Sequence, residues 1–319
     1  MSTLTNGNVL VVGGLNSGLP MYSAELYNLS TGLWTATGNM SHARCYHSAS
    51  VLADGNVLVT GGTSNVGITN TAELYNSSTG SWTDTGNMNY ARYFHTASVL
   101  TNGKVLVTGG LDPLGNYLSS TELFDPVTKS WSIAGSMSTV RNNHAVAVLA
   151  NGLVLVTGGC TAATSYLNNA ELFNPVTELW TATATMTNPR GYHIASVLQN
   201  GQVLVHSGSN SGGLMYTAEL YNLSTGLWTA TGNMNYARYI HTSAVLADGR
   251  VLVAGGSSVL SVTTSAELYN PLTGSWTVTS NMSFPRYQHA ASMLTNGQVL
   301  VAGGNDLSVG LSSSELYQP

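Results

Sequence analysis

Apolar residues in this chain fall in short runs, each closed by a turn of Asn, Asp, Gly, Ser or Thr, and no run keeps a helical period. Between His47 and Met88 the pattern predicts four strands. His47-Ser-Ala-Ser-Val-Leu52 is the first, ended by Asp54-Gly55, a dipeptide that favours a type I′ hairpin between apolar runs. Val57-Leu-Val-Thr60 is the second, and its unbroken apolar character predicts cover on both faces. Gly61-Gly62 follows, where missing side chains allow another backbone to come close. A variable loop leads to Ala72-Glu-Leu-Tyr75, and the turn Asn76-Ser-Ser-Thr-Gly80 leads to a fourth strand opening Ser81-Trp82-Thr83. The predicted unit is a four-stranded antiparallel meander.

That unit recurs along the whole chain. Paired glycines stand at 13–14, 61–62, 109–110, 158–159, 255–256 and 303–304, with Ser207-Gly208 in the remaining slot, 48 or 49 residues apart. Asn-Gly or Asp-Gly recurs seven times in step, at Gly7, Gly55, Gly103, Gly152, Gly201, Gly249 and Gly297. The repeats run about 1–40, 41–88, 89–137, 138–186, 187–234, 235–282 and 283–319, which predicts one repeat domain over residues 1–319. Met1-Ser2-Thr3-Leu4 aligns with Ala291-Ser292-Met293-Leu294, so the chain is expected to begin inside a unit, and it carries no signal-peptide pattern there. A lone meander leaves apolar faces bare, and setting several around an axis covers them. The recurrent Trp (34, 82, 131, 180, 228, 276) and Tyr or Phe (27, 75, 124, 173, 221, 269, 317) are expected to wedge between neighbours.

The order double Gly, Tyr, Trp within about fifty residues resembles the kelch repeat over essentially the entire chain. The resemblance implies an all-β, seven-bladed β-propeller of four-stranded antiparallel blades, the first and last incomplete. The alternative, six blades, would leave two well-formed strands without a place.

Composition narrows the partners. Charged residues make up only 7% of the chain and the net charge is −5, so no basic stripe offers itself to nucleic acid. No apolar run is long enough for membrane insertion as a helix. Only two lysines occur, Lys104 and Lys129, a bias that leans to an extracellular or cell-surface setting, and a monomer is expected. Cys45 and Cys160 occupy non-equivalent repeat positions and are not expected to pair.

Ionisable residues follow the repeat. Six of nine basic residues are Arg44, Arg92, Arg141, Arg190, Arg238 and Arg286, and each has a histidine three positions later. The third-strand glutamates, 25, 73, 122, 171, 219, 267 and 315, read as buried carboxylates bonded to a repeat Arg, His or amide. The arginines admit two readings, structural or ligand-binding. Strand direction places them on one rim with the two-to-three loops, interleaved with Tyr46, Tyr93, Tyr192, Tyr239 and Tyr287. Such a set can pair carboxylates and stack on sugars or peptide side chains, and in kelch domains that capture acidic peptides the same rim holds the binding arginines. Those loops diverge between units while strands are nearly copied, as in many binding surfaces. The expected function is therefore a non-catalytic module for a protein or glycan, the ligand acidic in one version, with no cofactor, metal or catalytic residue assigned. The alternative is a carbohydrate-active enzyme in the same funnel. Similar propellers house copper-radical oxidases, for which Cys45, Tyr46 and His47 are the nearest approach, or sugar mutarotases.

Overall fold

The structure is a computed structural model that describes residues 1–258 and 261–319. Among the described residues there are strands and turns and no helix, hence none able to cross a membrane. Seven antiparallel sheets follow one another along the chain, six of four strands and a last one of three. In the second, Ser48–Val51, Val57–Thr60, Ala72–Asn76 and Ser81–Asp84 pair in sequence order, with Tyr75 opposite Val57 on one side and Trp82 on the other. The first sheet opens with a two-residue strand, Ser2–Thr3, and the last ends at its third strand, Ser314–Tyr317. Seven blades, the first of four strands and the last of three, replace the six-bladed alternative. The chain divides into two compact units, residues 1–142 with 174–180 and residues 143–173 with 181–319.

The turn after the first strand differs from a type I′ hairpin. Gly55 N donates to Leu52 O at 2.9 Å and Leu52 N to Asn56 O at 2.8 Å. Gly55 is left-handed at φ 82° while Asp54 is not. That is a three-residue loop with glycine at the bulge, and the aspartate caps Asn56 N at 3.0 Å. The paired glycines behave as the sequence predicts: a Cβ on Gly61 would lie 2.6 Å from Arg92 O, and one on Gly62 2.4 Å from Cys45 O. Four of the variable loops are themselves small hairpins, such as Leu15–Asn16 with Leu19–Pro20 and Ser209–Asn210 with Gly213–Leu214.

Second strands form the core, and from the second sheet onward all four of their residues are buried. Within each unit, aromatic residues then staple one blade to the one before it. Trp82 Nε1 donates to Gly38 O at 2.7 Å while the Tyr75 hydroxyl meets Thr37 Oγ1 at 2.9 Å. In the second unit Trp276 reaches Gly232 O at 2.8 Å and Tyr269 reaches Thr231 at 2.8 Å. The two rings of each staple lie about one van der Waals layer apart, 5.1 Å between centroids in both cases. Trp276 is the most buried tryptophan, 8% exposed, and packs also against His206. Trp276→Ala should therefore cost roughly 3–5 kcal/mol, and half-buried Trp82→Ala distinctly less. Chemical denaturation of the two variants measures this, and equal losses would contradict the staple's dependence on burial.

Candidate functional site

Each connection into a new blade carries Arg-x-x-His, and its arginine goes inward. Arg44 Nη1 donates to Gly61 O at 2.9 Å and Thr71 O at 3.2 Å, and Nη2 donates to Glu73 Oε1 at 2.6 Å. Arg92–Glu122, Arg190–Glu219, Arg238–Glu267 and Arg286–Glu315 repeat the pair at 2.7–3.0 Å. Spare carboxylate lone pairs take backbone amides of the connection, Ser41 N and His42 N on Glu73. Burial pulls the Arg44 guanidinium pKa down, and the Glu73 carboxylate opposes it.

All six arginines, Arg141 included, are 0% exposed. Arg44, Arg92, Arg141, Arg190, Arg238 and Arg286 therefore cannot touch a ligand in this structure, which corrects the reading of their side chains as ligand contacts. The physical reason is that blade carbonyls and a carboxylate already supply acceptors to both terminal guanidinium nitrogens, and only Nε is left without one. A signal was present in the sequence: each Arg keeps a Glu 29 or 30 residues downstream. Glu73, Glu122, Glu171, Glu219 and Glu267 are buried as the sequence predicts, whereas Glu315 is 19% exposed and Glu25 lies at the surface.

The tyrosines occupy two different positions. Tyr93, Tyr239 and Tyr287 follow Arg directly and bridge to Leu111, Ser257 and Asn305 at the loop bases. Tyr46 and Tyr192 stand one residue further on, where every blade is left-handed: Tyr46 (φ 54°), Phe94 (52°), Asn143 (48°), Tyr192 (57°), Ile240 (52°) and Gln288 (53°). This backbone is costly without glycine, most of all for a β-branched Ile. Neighbouring copies bond to each other there, Phe94 N to Tyr46 O at 3.4 Å, Tyr192 N to Asn143 O at 2.9 Å and Gln288 N to Ile240 O at 3.2 Å.

Aromatic surface results. In the first unit Tyr46, Tyr93 and Phe94 form a cluster with centroids 4.6 to 6.4 Å apart, and Tyr46 is 36% exposed. Phe94 belongs to this cluster although it was not among the predicted site residues. In the second unit Tyr192 meets Tyr239 edge-on at 5.9 Å. Loop bases are bridged to the Arg segments, Met21 to Arg44 and Cys45 to Thr63, so loops and tyrosines share one end of each blade. The tips carry exposed apolar residues, Leu19, Val66 and Leu114 in the first unit and Leu307 in the second.

Histidines mostly serve the scaffold. His95 Nε2 lies 3.1 Å from Thr60 Oγ1, and His193 Nε2 2.8 Å from Thr157 Oγ1. Burial drives His47, His206 and His289 down to about 3. One group of three metal-ligating side chains converges among the described residues, His42, Glu73 and Asp84. Its Glu73 oxygens already accept Arg44, Ser41 and His42 N–H groups.

The residues also fail to fit a copper-radical centre. The Cys45 thiol contacts Thr63 O at 3.6 Å and the Tyr46 ring packs on Phe94, and among the described residues the group of three converging metal-ligating side chains includes neither Cys45 nor His47. Both cysteines are free and buried, as expected.

Residues 47–256 match the KLHDC2/KLHL20/DRC7 Kelch-repeats domain, and residues 2–41 and 238–283 match the Kelch motif. No curated protein matches the chain. Among solved structures, one described as a novel fungal alcohol oxidase of the AA5 family in complex with copper is 21% identical, with a TM-score of 0.81 over 99% of this chain and 73% of its own. Another, described as the structure of YjhT, is 18% identical with a TM-score of 0.68 over 86% of this chain and 95% of its own. At such identities the likeness shows the fold alone.

Two outcomes follow from the buried chemistry. Arg238→Ala leaves Glu267 charged and unpaired inside, so denaturation should show a loss of about 3–5 kcal/mol; a silent substitution would mean the pair is not structural. The neutral histidines set the acid limit. Unfolded imidazoles take up protons as pH falls through 6.5 while His47, His206 and His289 resist until about 3. Stability is thus fully present above pH 6.5 and is lost between about 6.5 and 3, each histidine contributing about 1.4 kcal/mol per pH unit. Urea midpoints that stay flat from pH 7 to pH 5 would contradict this.

Proposed function

The chain belongs to the kelch-repeat family, and from that premise we propose that it is a non-catalytic binding module for a protein or glycan. It works through the blade ends where the Arg-x-x-His segments meet the two-to-three loops. The observation that carries this reading is the partly exposed aromatic set, Tyr46, Tyr93 and Phe94 in one unit and Tyr192 and Tyr239 in the other, held by a repeated left-handed backbone. Strained backbone that recurs at one place, against the local preference of Tyr, Phe and Ile, is a mark of a surface whose shape is fixed in advance. Aromatic faces and phenol hydroxyls suit sugar rings and peptide side chains, and loop tips such as Val66 and Leu114 add apolar contact.

Arginines act in this reading behind the surface, as positioning residues. The guanidinium charges are neutralised by glutamates, so attraction to an acidic ligand is not what selects the partner. We take the module to be a monomer in an extracellular or cell-surface setting, in keeping with its few lysines.

Screening the purified chain against glycan and peptide arrays, followed by titration of the best ligand, tests the proposal. Tyr46→Gly keeps the left-handed backbone at ease while removing the ring, so it should fold and lose about tenfold or more in affinity, as a hot-spot aromatic does. Unchanged affinity in Tyr46→Gly and Tyr192→Gly would remove this surface from the account. Turnover of a captured sugar would overturn the non-catalytic assignment.

A further inference from the structure

The fifth blade breaks the repeat in two adjacent residues. Second strands end in Thr at 60, 108 and 157 and in Val12, Ala254 and Ala302 in three other copies, and this residue is His206 in the fifth. The next residue, glycine in every other copy, is Ser207, which keeps the left-handed backbone at φ 62°. Elsewhere the threonine hydroxyl receives Nε2 of the following blade's histidine, as Thr60 does for His95 and Thr157 for His193. His241 is the histidine that would reach position 206, and it finds an imidazole there, the two ring centroids 5.2 Å apart.

Neither His206 Nε2 nor His241 Nε2 has a hydrogen-bond partner. Both side chains are buried, at 0% and 6% exposure. Ser207 Oγ lies 3.4 Å from His206 Nδ1 and donates to Met234 Sδ at 2.8 Å, which brings a thioether into the same cluster. Two orphaned nitrogens in the interior are costly, because burial removes water and nothing replaces it.

We propose that His206 and His241, with the Met234 thioether beside them, form a buried site for a soft monovalent d10 metal ion, Cu+ or its redox-silent analogue Ag+. Imidazole and thioether donors suit such an ion, and it accepts two or three ligands. Zn2+ is served poorly: it asks for four donors, and no carboxylate stands in this cluster to balance a dication. The charged groups that act on it, Arg190 and Arg238, are cationic, although each is paired with its glutamate, which again favours the lower charge. The site has no tyrosine ligand and is independent of the aromatic surface above.

His206→Thr tests it with a residue the repeat itself uses. That variant should fold and re-form the threonine–histidine bond. Cu+ would be titrated anaerobically against a chromophoric Cu+ chelator, and Ag+ by thermal shift, on the wild-type chain and the variant. Cys45 and Cys160 remain in both, so the difference reports the histidine pair. Wild type should retain one equivalent more Cu+ than His206→Thr and show an Ag+-dependent rise in Tm that the variant lacks. His206→Ala must lose the same equivalent. Equal retention by wild type and variants would overturn the site, and a one-equivalent difference with Zn2+ instead of Cu+ would overturn the choice of ion.

Discussion

The buried arginine–glutamate pair is the constraint on which the rest of the molecule depends. An ion pair in the interior costs least when most of its remaining donors and acceptors are met, and in these arginines Nε is the one donor left over. Here the Arg44 guanidinium takes Gly61 O, Thr71 O and Glu73, and the carboxylate takes two amides of the incoming connection. One pair thus fixes the end of the second strand, the start of the third and the path between blades. Nothing apolar could tie those three segments together, because what they present to each other is backbone.

The surface is a consequence of that anchor. Once arginine is drawn inward, the chain must turn back to begin the first strand within three residues, and it does so through the left-handed position before histidine. Side chains after the arginine are thereby left at the blade end, beside loops whose bases are bridged to the same segment. Scaffold and surface are neighbours in sequence but separate in chemistry: charge inside, aromatic rings and apolar tips outside.

Much of the fold was legible because repetition multiplies weak signals. One Gly-Gly is ambiguous, but six in step with Trp and Tyr define a blade, and the close approach of Arg92 O to Gly61 shows why glycine is required there. Depth was not legible. Arg-x-x-His reads the same whether the guanidinium faces water or a carboxylate, and only the constant distance to Glu122 or Glu267 separates the cases. The Asp54-Gly55 turn was misjudged because the dipeptide signals a hairpin without fixing how many residues the loop holds. His206 and Ser207 were visible as departures from the repeat, yet their meaning needed Met234 at the end of the same copy and His241 in the next.

A double-mutant cycle on Arg92 and Glu122 tests the central claim most directly. Arg92→Met and Glu122→Leu alone each strand a buried charge and should lose about 3–5 kcal/mol of stability. The double substitution should lose clearly less than the sum of the two, because no charge is left stranded although the backbone groups Gly109 O, Asn89 N and Tyr90 N stay unmet. Additive, near-zero effects on stability would contradict a structural pair, the more so if ligand capture fell with Arg92→Met in a fully stable protein.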